Sequence, residues 1–201
     1  MKLQPITLLL SSLVHFLFIP PLLAGSVSGQ VQAPKQVKEL IIYLTSDNAL
    51  NQNEIPQKHI ISQKDIRFKP ELSIIMTNDS IEWENNESKE IDHNIFSLSP
   101  VNRFDLGLGE KGSKFERSFK KNGVLNYYCS VHKEMEGKVI ILPNRHYQHL
   151  VQSTDFKIDN LPEGEWTLNA VVFHRRYKAE PIKVTIRKET IKNLSLKIVK
   201  R

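Results

Sequence analysis

Short apolar stretches, separated by turns, run through most of the chain. Residues 80–84 alternate polar and apolar side chains, the period of two that indicates a half-buried strand. Residues 124–129 follow Asn122-Gly123, which is a turn signal. The other strands predicted from apolar runs of strand length are 39–44, 138–142, 166–173 and 182–186. Since no long stretch shows the 3.6-residue period of a helix, the pattern predicts an all-β protein built from antiparallel sandwiches.

Residues 1–26 differ from the rest of the chain. Lys2 is their only charged residue, a long apolar run follows, and small residues end the segment at Ala24-Gly25-Ser26. This is the pattern of a secretory signal peptide, with cleavage predicted after Ser26 or after Ala24. Two serines, a histidine and two prolines interrupt the apolar run, which makes it a poor membrane-spanning helix. The expected location is therefore periplasmic or secreted, with no stable membrane insertion after cleavage.

Composition and charge narrow the function only slightly. The chain has 201 residues, 40% of them hydrophobic, so one large or two small folded domains are expected. Lys and Arg number 28 against 22 Asp and Glu, a net charge of +6 that is scattered along the sequence. Scattered charges give nucleic-acid binding little support. The single cysteine excludes an internal disulfide, a four-cysteine zinc site and a two-cysteine redox motif.

The segment most informative about chemistry is 127–139. It contains Cys129, His132 and Met135, with the spacing Cys-x2-His-x2-Met, between two predicted strands. Upstream, His93 lies between a polar loop and an apolar stretch. Two imidazoles, a thiolate and a thioether are the ligands of a blue-copper electron-transfer site. The residues therefore predict one type 1 copper ion, with Met135 as the weak axial ligand that tunes the reduction potential.

Other roles for these residues remain open at the level of sequence. A single cysteine, histidine or methionine is usually a packed or hydrogen-bonded residue, but the four together favour a metal site. Zinc could occupy the same ligands. A Cys–His hydrolase would need a base and an oxyanion pocket, for which the segment offers no signal, so no enzymatic activity is expected.

At segments 92–97 and 128–139 the sequence resembles a cupredoxin, with a ligand loop similar to those of amicyanin and pseudoazurin. Segments 61–70 and 103–107, with Phe119 and Gly123, resemble plastocyanin-like proteins often labelled methylamine utilization proteins. The resemblance implies a Greek-key cupredoxin domain at 57–143, with the copper ligands His93, Cys129, His132 and Met135. It also implies that Asn94 ties the two ligand loops together, and we expect its side chain to hydrogen-bond near Ser130. The loop departs from the amicyanin type because it lacks proline and carries Lys133 and Glu134.

Two further segments resemble a carboxypeptidase regulatory-like domain, a small transthyretin-like sandwich. They are 27–32 with 39–44 near the start, and 155–168 near the end. The favoured interpretation is a discontinuous domain, 27–46 and 147–201, interrupted by the copper domain, with a tandem order as the alternative. His174-Arg175-Arg176 forms a small basic spot, expected to be a solvated strand end rather than a docking site.

The predicted function is a one-electron carrier in which His132 lies near the surface and passes electrons through its ring edge. The expected partners are redox proteins such as c-type cytochromes or periplasmic dehydrogenases. Lysines could steer an acidic partner or serve only solubility; they are Lys111, Lys114, Lys120, Lys121 and Lys133. The alternatives are a copper-delivery module and a zinc-held structural adhesion module without a redox role.

Overall fold

The computed structural model describes residues 25–46, 55–187 and 190–201. These ranges contain seventeen strands and no helix, so the all-β prediction is confirmed. Among them there is consequently no helix of sufficient length and hydropathy to cross a membrane. The predicted signal peptide, 1–26, lies outside the described residues except for Gly25 and Ser26, which open the first strand.

The seventeen strands are numbered in chain order. Their bounds are β1 (Gly25–Gln32), β2 (Glu39–Thr45), β3 (Lys58–Gln63), β4 (Phe68–Lys69), β5 (Leu72–Met76), β6 (Ser80–Asn85), β7 (His93–Ser97), β8 (Phe104–Gly109), β9 (Lys114–Ser118), β10 (Gly123–Tyr128), β11 (Glu136–Leu142), β12 (Tyr147–Val151), β13 (Asp155–Leu161), β14 (Gly164–Val172), β15 (Tyr177–Ala179), β16 (Ile182–Ile186) and β17 (Thr190–Lys200). The six strands predicted from apolar patterns correspond to β2, β6, β10, β11, β14 and β16.

The strands from both ends of the described chain build one sandwich, which we call the flanking sandwich. Its two sheets have the strand orders β13-β1-β17-β15 and β12-β2-β14-β16. β1 pairs in parallel with β17, with Val27 opposite Ile191 and Gln32 opposite Lys197. Trp166 and other buried apolar side chains of both sheets form the core of this sandwich.

Strands β3 to β11 build a second sandwich, which we call the central sandwich. Its sheets have the orders β5-β11-β10-β7-β8 and β4-β3-β6-β9. Trp83, Tyr127 and Phe119 lie in its core, where the Trp83 ring meets both of the others edge-on. The loop of residues 129–135 connects β10 to β11, which pair antiparallel with each other. β7 lies on the other side of β10.

A third apolar cluster joins the two sandwiches. Ile140 and Leu142 of β11 and Met76 of β5 pack with Ile41 of β2. The partly buried side chains around them again come from both sandwiches; they are Tyr43, Leu72, Ile74, Tyr147, Val171 and Phe173. Because burial of apolar surface favours association, this cluster holds β5 and β11 against the sheet that contains β2 and β14.

Asp79 ties together the segments at one end of the central sandwich. Its side chain is 1% exposed and accepts hydrogen bonds from the backbone amides of Gln57, at 2.8 Å, and Met76, at 2.9 Å. His59 Nε2 lies 2.9 Å from the same carboxylate. Burial raises the pKa of Asp79, but the two amides and the His59 ring stabilise the carboxylate more, so its pKa lies below the usual 3.8.

Replacing Asp79 with asparagine is therefore expected to destabilise the protein by about 1–3 kcal/mol, because buried donors lose a charged acceptor. A carboxyl whose folded pKa is lowered stabilises the fold above its unfolded pKa and loses that contribution as pH falls through the folded value. Urea unfolding of the wild type should thus show stability falling below about pH 4, and Asp79→Asn should flatten that fall. Asp155→Asn, which alters an exposed hydrogen bond to Gln30, is the matched control. Equal stability of Asp79→Asn and wild type would contradict the assignment.

Candidate metal centre

Cys129 lies immediately after β10, at the start of a tight loop that returns to β11. The loop is closed by two backbone hydrogen bonds, from Cys129 N to Met135 O at 3.1 Å and from Met135 N to His132 O at 3.0 Å. These bonds bring the three chemically active residues of the loop to one end of the sheet. The prediction that residues 124–129 form a strand is accurate except at Cys129, which the strand positions without including it.

His93, the first residue of β7, approaches the same point from the neighbouring strand. Its Nδ1 lies 3.9 Å from Cys129 Sγ, and His132 Nδ1 lies 3.7 Å from the same sulfur. One donor atom from each of the three residues lies within 4.8 Å of the other two. The structure thus brings together three residues predicted from sequence, of which one is 36 positions away from the cysteine along the chain.

The three side chains differ in their access to solvent. His93 is 0% exposed and Cys129 is 3% exposed, whereas His132 is only partly buried. The two imidazole rings meet at 62° with their centroids 4.9 Å apart. An ion held between the two rings would be shielded from water on most sides. The His132 ring would connect the ion to the protein surface.

Met135, the fourth predicted ligand, is 1% exposed and belongs to the same buried cluster as Cys129. The hydrogen bond from Cys129 N to Met135 O holds the two residues side by side. The role of the Met135 thioether as axial ligand remains a prediction.

A buried glutamate, which the sequence analysis did not single out, holds the His93 ring. Glu87 Oε1 lies 3.0 Å from His93 Nε2, the ring nitrogen that faces away from Cys129. Glu87 is 5% exposed, although it lies within the polar stretch expected to be a loop. A carboxylate on the far nitrogen of an imidazole fixes the orientation of the ring and leaves the other nitrogen free for a metal.

The Glu87 carboxylate is itself held by the turn between β3 and β4. Its oxygens accept hydrogen bonds from Ile66 N, at 2.8 Å, and Asp65 N, at 3.1 Å. Asp65 and Ile66 both have positive φ, 56° and 55°. A common type of two-residue hairpin turn requires positive φ at both of its central residues. Positive φ is unfavourable for a β-branched residue such as Ile66, so the surrounding contacts must stabilise the turn.

The charge of Glu87 is preserved by these contacts. Burial raises the pKa of its carboxyl, but the Ile66 amide, His93 and the Asp65 amide lower it by more, so the pKa lies below the usual range. A negative charge therefore lies just behind His93, and it favours a divalent over a monovalent ion at the site.

Asn94 differs from its predicted role. Its side-chain Nδ2 donates to Asp105 Oδ1 at 2.8 Å and to Gly107 O at 3.0 Å, while its Oδ1 has no hydrogen-bond partner among the described residues. The expected hydrogen bond near Ser130, an exposed residue, is therefore wrong. The ionised Asp105 carboxylate is a stronger acceptor than a neutral group near Ser130, since hydrogen bonds to a charged group are stronger than those between neutral groups. It is the backbone amide of Asn94 that connects the two segments, by donating to Cys129 Sγ at 3.4 Å.

The donor set fits copper on chemical grounds. Copper accepts both imidazole nitrogen and thiolate sulfur, and two histidines with one cysteine form the equatorial set of type 1 sites. The sulfur is positioned by an amide hydrogen bond and the buried imidazole by a carboxylate, so the donors are held before any ion binds.

Comparisons with known proteins find similarity only at the level of solved structures. No protein-family model and no curated protein matches the chain. A purple cupredoxin from Nitrosopumilus maritimus is 25% identical, with a TM-score of 0.38, over 41% of this chain and 98% of its own. A reduced Cu(I) amicyanin variant is 17% identical over 41% and 80%, with a TM-score of 0.38. Another Cu(I) amicyanin variant is 16% identical over 44% and 86%, with a TM-score of 0.39.

Proposed function

We propose that this chain is an exported type 1 copper protein that carries single electrons between redox partners. The observation that carries the proposal is the convergence of one donor atom from each of His93, Cys129 and His132 within 4.8 Å, with the His132 imidazole only partly buried. Copper bound there would supply a one-electron change between Cu(I) and Cu(II). His93, Cys129 and His132 would be the equatorial ligands and Met135 the axial one.

The chain's own residues hold the donors in place. Glu87 orients His93, the Asn94 amide donates to the Cys129 sulfur, and the loop hydrogen bonds restrain His132 and Met135. A rigid donor set lowers the cost of moving an electron, because neither oxidation state then requires the ligands to move far. With His93, Cys129, His132 and Met135 as ligands, the chain would itself supply four donors to the ion, which favours electron transfer over substrate chemistry.

Exposed apolar side chains next to the site support brief protein contacts. Val131, which precedes His132, is 52% exposed, and Leu108, paired with Asn94 across β7 and β8, is 59% exposed. Small interfaces of this kind suit redox encounters, which must form and separate quickly. We infer that the partners are exported redox proteins such as c-type cytochromes or periplasmic dehydrogenases.

Export is supported by the sequence of residues 1–26. Between the two predicted cleavage positions, the fold favours the one after Ala24. Gly25 pairs with Leu161, and Ser26 Oγ donates to Thr190 Oγ1 at 2.8 Å, so cleavage after Ser26 would remove the first two residues of β1. N-terminal sequencing of the exported protein distinguishes the two.

We also propose that the sandwiches are separate domains, a cupredoxin domain at 57–143 inserted into a regulatory-like domain at 27–46 and 147–201. The pairing of β1 with β17 and of β2 with β12 and β14 supports the insertion over a tandem order. Limited proteolysis at the two connections tests it, since an inserted domain leaves the flanking fragments associated after both cuts.

The test of function is to purify the exported chain, load it with copper and record visible and electron paramagnetic resonance spectra with metal analysis. We expect one copper per chain, an intense thiolate-to-Cu(II) band that disappears on reduction, and its return on oxidation. A colourless protein that retains zinc and rejects copper would instead support the structural adhesion module. A protein that binds Cu(I) but cannot be oxidised reversibly would support copper delivery.

Replacing Met135 with leucine is expected to leave copper bound and raise the reduction potential, because loss of an axial donor destabilises Cu(II). A tenfold loss in the relative affinity for Cu(II) corresponds to about 59 mV for one electron. Spectroelectrochemical titration measures the shift. Met76→Leu, at a methionine in the cluster between the sandwiches, is the matched control. An unchanged potential in Met135→Leu would contradict the axial assignment.

A further inference from the structure

The positive charge of this protein is divided unequally between its two sandwiches. Residues 55–142, which form the central sandwich, contain 13 Lys and Arg and 13 Asp and Glu. Residues 25–46 and 143–201 contain 14 Lys and Arg but only 7 Asp and Glu. Although the charges are scattered along the sequence, the excess of positive charge belongs to the flanking sandwich.

Six exposed cations of the flanking sandwich come from three chain segments that meet at one end of its sheets. Tyr177 pairs with Lys200, and Arg201 N donates to Arg176 O at 3.0 Å, so the loop after β14 adjoins the end of β17. Phe173 N donates to Glu39 O, which places that loop beside the β1–β2 connection. We call this surface the basic end; it consists of Lys35, Lys38, Arg175, Arg176, Lys200 and Arg201.

Among the described residues, none of the six forms an ion pair with an acidic side chain. Glu39, the acidic residue beside Lys38, is hydrogen-bonded to His149 at 2.9 Å. Unpaired charges gathered at one end create a local positive potential that oppositely charged proteins experience at a distance.

The basic end lies beside the metal-binding loop. β11 begins directly after Met135, and Lys138 Nζ, near the start of that strand, lies 5.0 Å from the centre of the Phe173 ring. Phe173 in turn directly precedes the segment that carries Arg175 and Arg176. A cleft of about 270 Å³ between the sandwiches is lined here by residues of both sides, with Glu71, Glu136 and Lys138 from the central sandwich and Glu39 and Phe173 from the flanking one.

The lysines considered from sequence are placed less favourably. Lys111 pairs with Glu90, and Lys114 pairs with Glu84, so neither charge is unpaired. Lys120 and Lys121 precede β10, whereas Cys129 follows it, so they lie at the opposite end of that strand. Of the five, Lys133 alone is next to a metal-site histidine.

We propose that the basic end of the flanking sandwich is the docking surface for an acidic electron-transfer protein, which it orients toward His132. The proposal rests on the proposed electron-carrier function and assigns the flanking sandwich the role of selecting the partner. An acidic protein is favoured over an anionic membrane because the basic end and the His132 edge lie at the same end of the molecule. A membrane bound there would cover the edge through which electrons pass.

The test compares two variants with the same change in net charge. Arg175→Glu/Arg176→Glu alters the basic end, and Lys183→Glu/Lys192→Glu alters exposed lysines elsewhere on the flanking sandwich. Stopped-flow measurement of electron transfer from the reduced copper protein to an oxidised acidic c-type cytochrome, over a range of ionic strength, is the readout. We expect the first variant to lose about tenfold or more of the rate at low salt, with a flattened salt dependence, and the second to lose far less. The visible spectrum and reduction potential should be unchanged in both.

Two outcomes would overturn the docking surface: equal loss of rate in both variants, or no loss in either. The protein is also tested for binding to vesicles of anionic lipid. If only Arg175→Glu/Arg176→Glu abolishes that binding, and the rate with the cytochrome is unchanged, the docking surface is overturned in favour of a membrane-binding one. Association with the cytochrome is also measured by biolayer interferometry on the copper-free protein. If association depends on these charges but the copper-loaded protein transfers no electrons, the carrier function is refuted while the docking surface is supported.

Discussion

Replacing Cys129 with serine is expected to abolish the visible charge-transfer band and to weaken copper binding by more than about 100-fold, beyond the loss typical of residues that only support a ligand. A hydroxyl is a hard, poorly ionised donor, whereas copper in both oxidation states favours the thiolate. The visible spectrum of the copper-loaded variant and a competitive copper titration measure the two effects. Serine also places a polar group at a site that is 3% exposed, so a modest loss of stability is expected as well.

Ser130→Ala is the matched control for this change, because Ser130 is the exposed neighbour of Cys129 and lies outside the group formed by His93, Cys129 and His132. The control should retain the band, the copper stoichiometry and the reduction potential. Since circular dichroism and thermal unfolding report folding independently of copper, they separate a misfolded Cys129→Ser protein from a folded one without its ligand. A folded Cys129→Ser protein with the original band would refute the assignment of the metal centre.

Replacing Glu87 with glutamine is expected to raise the reduction potential and to lower copper affinity by about 10–100-fold. The wild-type carboxylate lies 3.0 Å from His93 Nε2 and accepts two backbone amides. Glutamine removes a negative charge that stabilises Cu(II) relative to Cu(I), and its amide NH2 cannot accept from a backbone N–H. Protein-film voltammetry measures the potential, and copper titration measures the affinity.

Glu90→Gln provides the control, because Glu90 lies in the same loop with its side chain 85% exposed and paired with Lys111. Charge removal at that position is screened by water and should leave the potential close to the wild-type value. If Glu87→Gln and Glu90→Gln shift the potential equally, Glu87 does not act through His93. A lower potential in Glu87→Gln would contradict the electrostatic explanation directly.

Much of the site could be predicted because its information is local. Cys129, His132 and Met135 occupy one loop of seven residues, and the apolar strands on either side are recognisable from their own patterns. A strand is recognised from the pattern of neighbouring residues, and the spacing of the donors after it is read directly from the sequence. His93 is predicted because it lies between a polar loop and an apolar stretch.

Glu87 was missed because its role depends on contacts remote in sequence. In the chain it is one of several polar residues in a loop, and nothing near it indicates burial. It becomes buried because the turn at Asp65 and Ile66, more than 20 positions away, supplies two amides to its carboxylate. The wrong prediction for Asn94 has the same origin, since the position of Asp105 decided where its side chain donates.

By itself, the sequence determined that this protein is all-β and that a cysteine, a histidine and a methionine share a short loop between two strands. Only the tertiary structure decided which carboxylate supports His93 and where the unpaired cations gather. The physical reason is one of range. Strand patterns and loop spacings express the covalent geometry of neighbouring residues, whereas buried charges and surface potentials depend on segments such as the β1–β2 connection and the end of β17, which only the folded sheets bring together.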